Sequence, residues 1–263
     1  MSLSSDRLTG KVCVVTGAAK SIGFGIAEKF AEQGAKTVLL DIDPAVRESA
    51  KTLSDAGYPV WGYAIDITKR EEVLCLFEKI VADCGSIYCL CNVAGIVDQR
   101  PFLEYTEEGF DRVFRVNVNG TAWCCQGALP SMIVGKQGGR IINFSSKSGK
   151  TGSALMAPYS SAKGAVIALT QALAFEYAAE KINVNCICPG ITDATGVWAN
   201  VSDGYIHNLN LSREEVVKKF TAKIPLGRLT TIEDVVGYVF YLVAEGDYIT
   251  GQAINITGGR EMH

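Results

Sequence analysis

The feature that most constrains this chain is a repeated alternation of short β-branched runs with longer amphipathic stretches. Lys11–Thr16 (KVCVVT) reads as a buried strand, and Ile22, Ile26 and Phe30 after it recur at helical spacing. Thr37–Asp41 reads as a second strand, followed by a helix over Pro44–Ala56 with proline in its first turn. Val60–Ile65 and Ile87–Asn92 are the next strands, with a helix over Lys69–Cys84 between them. A long helix is predicted over Thr106–Val134. Strand Arg140–Phe144, helix Ala157–Glu180, strand Ile182–Cys188 and a last strand Ala253–Ile256 follow. A helix between two strands returns the chain to the same end of the sheet, so the strands run parallel and helices cover both faces. The predicted fold is α/β, with one doubly wound Rossmann-type parallel sheet in a single dinucleotide-binding and catalytic domain over residues 1–263. At 48% apolar residues the chain has enough side chains for such a core. Thr192–Ile224 breaks the rhythm: it is polar and Asn-rich, and it carries Trp198 and Tyr205. An insertion of that length in a compact domain is usually functional, and a substrate lid is predicted near residues 192–224.

Several function classes are excluded by what the chain lacks. A net charge of −3 gives no electrostatic case for a nucleic-acid partner. No apolar run approaches the roughly 20 residues that span a bilayer. The longest, Val235–Ala244, is interrupted by Gly237 and two tyrosines. Met1–Lys11 lacks the apolar stretch of a signal peptide. The nine cysteines are odd in number and contain no C-x-x-C pair. Cys89/Cys91 and Cys186/Cys188 are two apart inside strand-like runs, so each pair points to one face. Small buried thiols in a reducing, cytoplasmic setting are the expectation. With only His207 and His263 present, neither a histidine zinc site nor a Ser-His-Asp triad is expected, and no metal is predicted.

The first strand runs into Thr16-Gly17-Ala18-Ala19-Lys20-Ser21-Ile22-Gly23 and then a helix. Small residues at that turn let backbone amides approach a pyrophosphate at a helix N-terminus. Asp41 ends the second strand, where a carboxylate meets the adenosine ribose and repels a 2′-phosphate. The expected cofactor is therefore NAD. Lys20 is the opposing signal, but nothing basic follows Asp41 at Ile42 or Asp43. Tyr159 and Lys163 are four apart on a predicted helix and share a face. Ser146 ends the fifth strand, where ligands of open α/β sheets bind. Asn117 interrupts the apolar face of the long helix in Val116-Asn117-Val118-Asn119-Gly120.

Taken in order, Thr16–Gly23, Asp66-Ile67, Asn92-Val93-Ala94-Gly95, Asn117, Ser146, Tyr159-Ser-Ser-Ala-Lys163 and Pro189-Gly190 resemble the motifs of the short-chain dehydrogenase/reductase family over nearly the whole chain. The thirteen-residue step from Ser146 to Tyr159 matches the family spacing and selects Ser146 over Ser145. The resemblance implies an NAD(P)-dependent oxidoreductase interconverting a secondary alcohol and a ketone. Tyr159 would be the general acid/base. Lys163 and the positive nicotinamide would draw its phenol down from about 10. Lys163 would also hold the nicotinamide ribose, Ser146 the substrate oxygen, and Asn117 a water linking Lys163 to solvent. Gly17, Ser21, Ile22 and Gly23 would hold the pyrophosphate, Asp41 the ribose, and Asp66 and Ile67 the adenine. Asn92, Ala94 and Gly95 would wall the adenosine ribose. Pro189, Gly190 and Thr192 would meet the nicotinamide side. A homotetramer is the family expectation, with the helices Thr106–Val134 and Ala157–Glu180 paired between subunits.

The chain departs from the pattern at several points. Ser21 stands where a second glycine is usual, Val93 where an asparagine is usual, and Thr192 and Ala194 follow Pro-Gly, with Thr195 a stand-in. The enoyl reductase branch is rejected because position 165 is Ala165 rather than lysine. Asn143–Ser153 and the tail Thr250–His263 resemble the polyol dehydrogenase branch, sorbitol-6-phosphate 2-dehydrogenases in particular. Lys147 and Lys150, beside Ser146, are candidates for holding a substrate phosphate or carboxylate. The Asp98–Pro101 loop is expected to line the pocket. The alternatives are a 3-oxoacyl carrier-protein reductase or other carbonyl reductase, which calls for a basic docking patch, and a non-catalytic dinucleotide-sensing protein.

Overall fold

The computed structural model describes residues 7–193, 195 and 212–263. Its strands are β1 (Val12–Thr16), β2 (Lys36–Asp41), β3 (Val60–Ala64), β4 (Ile87–Asn92), β5 (Gly139–Phe144), β6 (Ile182–Pro189) and β7 (Ala253–Ile256). They form one sheet in the order β3-β2-β1-β4-β5-β6-β7. Every neighbouring pair is parallel. The central strands β1 and β5 are buried along their whole length, as strands covered on both faces must be. Alternation assigns Cys13, Val15, Leu39, Cys89 and Ile142 to one face, packed with Ile26, Phe30, Val235 and Val239. Val14, Val38, Leu90 and Ile141 take the other face, against Phe77, Ile80, Cys124 and Met132. The order reverses between β1 and β4. The chain leaves those two strands in opposite directions, which opens a crevice at their carboxyl ends.

The helices are α1 (Ser21–Glu32), α2 (Val46–Asp55), α3 (Arg70–Cys84), α4 (Glu107–Phe114), α5 (Thr121–Gly135), α6 (Lys147–Thr151), α7 (Ala157–Glu176), α8 (Arg213–Thr221) and α9 (Ile232–Ala244). The helix predicted over Thr106–Val134 is capped by Thr106, whose hydroxyl accepts from Gly109 N at 3.1 Å. It is not uniform, because Arg115–Gly120 winds as a π-helical turn between α4 and α5. The predicted helix Ala157–Glu180 stops at Glu176 and continues only as a 3₁₀ turn over Ala178–Glu180. α6 and α9 were not anticipated. α9 contains the run weighed above as a membrane candidate. A Thr231/Asp234 capping box starts it, and Val235, Val239, Leu242 and Val243 are buried beside α1. No helix among the described residues is long and apolar enough to cross a membrane.

The nine cysteines are free thiols and all but Cys75 are buried. Cys89 and Cys91 share a face as predicted, with their sulfurs 3.8 Å apart. α8 falls within the predicted lid stretch. Ala194, Trp198, Tyr205 and His207 lie outside the described residues.

Candidate active site

A cavity of about 800 Å³ opens at the carboxyl ends of the strands. One end is built on the turn after β1. Gly17 has φ +67, and a Cβ there would come within 2.8 Å of Ala94 N. A Cβ on Gly23 would meet Gly17 O at 2.1 Å. Only glycine permits the β1 turn, α1 and the loop after β4 to close together, leaving a cradle of backbone and small side chains. Ser21, the residue replacing a glycine, has φ 58 and therefore occupies the left-handed region with a Cβ. Gly17, Ser21, Ile22 and Gly23 all line the cavity.

Asp41 ends β2 and lines the same end. Its oxygens accept from Ala19 N at 2.9 Å and Asp43 N at 3.0 Å. The carboxylate thus ties the β1 turn to β2, and its remaining lone pairs are available for ribose hydroxyls. Asp66 accepts from Thr68 N and Oγ1 on one oxygen. Ile67 is 8% exposed and, like Asp66, lines the cavity. Ala94 and Gly95 line it too.

Asn92 does not. Sheet alternation turns its side chain to the α5 and α7 face. There Nδ2 donates to Asn143 Oδ1 at 2.9 Å and to the Cys125 sulfur at 3.4 Å. Asn143 in turn donates to Thr170 Oγ1 at 3.0 Å. The Asn92 side chain, expected beside the adenosine ribose, braces β4, β5, α5 and α7 together. The Asp98–Pro101 loop is likewise absent from the lining among the described residues, which stops at Val97. Arg100 closes onto Asp98 at 2.9 Å, and Tyr105 donates to Asp98 O and Leu155 O, so the loop forms a wall behind the pocket.

The candidate catalytic side chains converge at β5, α6 and α7. Ser146 is the N-cap of α6, and its Oγ accepts from Ser148 N at 3.1 Å. That contact leaves its own O–H to donate into the cavity, toward the Tyr159 phenol. Ser145 is committed, because its hydroxyl donates to Lys163 O at 2.7 Å. Lys163 is 4% exposed and its Nζ donates to Phe144 O at 2.7 Å. The ammonium also lies 5.7 Å from the centre of the Tyr159 ring. Burial pulls Lys163 down to about 8. Tyr159 packs with Met156, Val97, Val216 and Phe220. Burial pushes its phenol above 10, and the neighbouring Ser146 hydroxyl works against that rise. The expected lowering by Lys163 therefore does not come from the protein alone.

Asn117 sits in the π-helical turn and is fully buried. Its Nδ2 donates to Ile96 O and Val113 O, and its Oδ1 accepts from Ile96 N. It thereby holds the extended segment that leaves β4. A Cβ on Gly95 would come within 2.5 Å of Asn117 Oδ1 and 3.3 Å of Lys163 Nζ, so Gly95 lets these two groups close on one point. At the far side, Pro189, Gly190 and Thr192 line the cavity. Thr192 bridges to Thr230. Its buried hydroxyl has no hydrogen-bond partner among the described residues.

The two lysines after Ser146 part company. Lys147 lines the cavity, whereas Lys150 does not and donates to Ala253 O at 2.6 Å. Lys150, the other lysine expected to hold a substrate anion, is instead held toward β7 by its bond to Ala253 O. Lys219, Phe220, Lys223 and Arg260 line the cavity as well. Sequence reasoning missed them because α8 and the C-terminal loop reach the pocket through tertiary folding, with no local pattern to mark it.

These residues fit a nicotinamide dinucleotide. The glycine cradle, the Asp41 carboxylate and the orphaned Thr192 hydroxyl are spaced along one continuous cavity. No group of three or more His, Cys, Asp or Glu side chains among the described residues is arranged to hold a metal.

Comparison with known proteins agrees with this geometry. The chain is 35% identical to the sorbitol dehydrogenase of Cereibacter sphaeroides, covering 97% of this chain and 99% of that one. It is 35% identical to the galactitol 2-dehydrogenase of Agrobacterium fabrum, with the same coverage. A crystal structure of NAD+-bound xylitol dehydrogenase superposes with a TM-score of 0.91 at 31% identity, covering 96% of this chain and 99% of that one. The profile described as short chain dehydrogenase matches residues 11–205. The chain belongs to the short chain dehydrogenase family, oxidoreductases that act on CH–OH groups with a nicotinamide cofactor.

Proposed function

We propose that the protein is an NAD-dependent dehydrogenase of a sugar alcohol, converting one secondary hydroxyl to a ketone and able to run in reverse. The observation that carries this reading is the convergence of Tyr159, Ser146 and buried Lys163 on one end of a cavity whose other end holds Asp41. The dinucleotide, when bound, supplies the hydride acceptor. Ser146, whose O–H faces the Tyr159 phenol, turns it to the substrate oxygen and fixes its position. Tyr159 takes the hydroxyl proton at its phenolic oxygen. Lys163, anchored on Phe144 O, holds a positive charge beside the Tyr159 ring and stabilises the phenolate. Asn117 fixes Ile96 and, with Gly95, keeps the Lys163 ammonium in place. The apolar cluster of Met156, Val97, Val216 and Phe220 excludes water from the reacting carbon. Asp41 favours NAD by meeting the ribose hydroxyls and repelling a 2′-phosphate.

The polyol reading draws on the sorbitol, galactitol and xylitol dehydrogenases that the chain is similar to. The test is a panel of sorbitol, galactitol and xylitol, each free and as its terminal phosphate ester, with NAD. Turnover is followed by absorbance of the reduced nicotinamide. Saturable reduction of NAD by one of them is the expected result. No turnover on the panel, with turnover of a 3-oxoacyl thioester, would replace the polyol reading with that of a ketoacyl reductase.

A further inference from the structure

We propose that the substrate end of the cavity carries an oxyanion subsite formed by Arg260, Lys147 and Lys223, so that the alcohol oxidised bears a terminal phosphate. The inference rests on the polyol reading above and names its substrate class. The cavity that holds Ser146 and Tyr159 is also lined by Lys147, Lys219, Lys223 and Arg260, with Arg260 and Lys223 close enough to Lys147 to act on its charge. Both acidic lining residues, Asp41 and Asp66, lie at the ends of β2 and β3, and backbone amides occupy them. No other acidic side chain lines the cavity among the described residues, and Glu261, outside the lining, lies 3.3 Å from Arg260 Nε. Positive charge therefore exceeds negative charge there, although the whole chain is acidic at −3.

Arg260 is built into place. After β7, Thr257 O accepts from Arg260 N at 3.3 Å. Thr257 Oγ1 contacts both Glu261 N and Glu261 O at 3.2 Å. Asn255 Nδ2 donates to Glu261 O and His263 O at 3.1 Å each. These contacts fold the tail back on β7. The guanidinium lies 5.5 Å from the Phe220 ring centre on α8, and its side chain is 15% exposed. Nη1 is buried without a hydrogen-bond partner among the described residues. A buried guanidinium N–H left unpaired is costly, and an oxyanion in the cavity satisfies it. Lys147 faces the same point: burial lowers its ammonium, and Arg260 and Lys223 push it further down while Glu261 opposes them. Like charges held together in this way are relieved by a bound anion. A phosphate monoester, near −2 at neutral pH with three acceptor oxygens, matches two ammonium groups and a fork better than a carboxylate does. The depth of Arg260 also favours a small molecule over the surface of a carrier protein.

The experiment has two arms on the NAD-loaded enzyme. The first titrates inorganic phosphate by calorimetry into the parent enzyme, Arg260→Ala, Arg260→Lys and Lys223→Met. The second measures the ratio of kcat/KM for sorbitol 6-phosphate to that for sorbitol, with gluconate as a carboxylate control. The expected ratio in the parent enzyme is well above one. It falls about tenfold or more in Arg260→Ala, by less in Lys223→Met, and is partly kept in Arg260→Lys. Phosphate binding weakens in the same order. Lys223 is exposed, so its variant reads the site even if Arg260→Ala folds poorly. A ratio near one that neither variant moves overturns the subsite and leaves the polyol reading standing. Arg260-dependent phosphate binding without turnover of any polyol keeps the subsite and overturns the polyol reading. Better turnover of gluconate than of the phosphate ester overturns the phosphate assignment, as does turnover confined to carrier-protein thioesters.

Discussion

Replacing Lys163 with methionine separates what this residue does for chemistry from what it does to the fold. The side chain is 4% exposed, and its ammonium is pulled from 10.5 to about 8 by burial. That lowering corresponds to about 3 kcal/mol of destabilisation while the group is charged, at about 1.4 kcal/mol per tenfold change. The sign follows from proton binding. Below pH 8 the lysine is protonated in the folded and unfolded chain alike, so the full penalty is present. Between about 8 and 10.5 the unfolded chain binds more protons, stability from this group rises with pH, and the penalty disappears. Methionine is of similar length and carries no charge, but it abandons the bond to Phe144 O, which costs about 1–3 kcal/mol. Lys163→Met should therefore match or exceed the parent by up to about 2 kcal/mol at pH 7, while losing activity. Its advantage should shrink by about 2–3 kcal/mol by pH 10. In the unfolded chain thiols and tyrosines also titrate in this window, while in the folded chain burial holds groups such as Cys124 and Tyr159 above their usual values. The parent–variant difference cancels them. Urea unfolding of both proteins at pH 7 and pH 10, without cofactor, measures it. A difference that moves by less than 1 kcal/mol, or in the opposite direction, refutes the claim that Lys163 is held charged against a desolvation penalty.

Tyr159→Phe keeps the ring in the Met156–Val216 cluster and removes only the proton-carrying oxygen. Turnover should fall by about 10²–10⁴-fold with the melting curve unchanged, and full activity would overturn the catalytic assignment. Asp41→Ser should lower the kcat/KM preference for NAD over NADP by about tenfold or more, the size of one charge contact. NAD binding should weaken too, because Asp41 also holds Ala19 N; a parent enzyme that favours NADP would show that Lys20 outweighs Asp41. Ser21→Gly relieves a left-handed φ of 58 and, after the greater freedom of glycine in the unfolded chain, should raise stability by up to about 1 kcal/mol in thermal unfolding. Phe175 on α7 is 88% exposed and Val134 on α5 is 81% exposed, so light scattering at micromolar concentration should give a four-chain mass. Phe175→Asp should shift it toward smaller species.

The strand–helix alternation made the parallel sheet legible from sequence alone, because side-chain period and strand direction are local consequences of the chain. The β1 turn, Asp41, Ser146 and the Tyr159/Lys163 pair could be singled out because each sits at a strand end or on one helix face, but their roles came from the resemblance to the family and not from spacing. What sequence left open depended on which way a side chain turns once elements pack. Asn92 looked like a cofactor contact, yet the pleat of β4 turns it into the Asn143 and Thr170 network. Lys147 and Lys150 looked equivalent, yet Lys147 lines the cavity while the Ala253 carbonyl, brought alongside by β7, takes the Lys150 ammonium. The π-helical turn that places Asn117 against Ile96 has no period of its own to read. Arg260, near the end of the chain, meets Lys147 across more than a hundred residues of sequence. No local rule links two positions so far apart; only the return of β7 beside β6, and the tail folded back on it, brings their charges into one pocket.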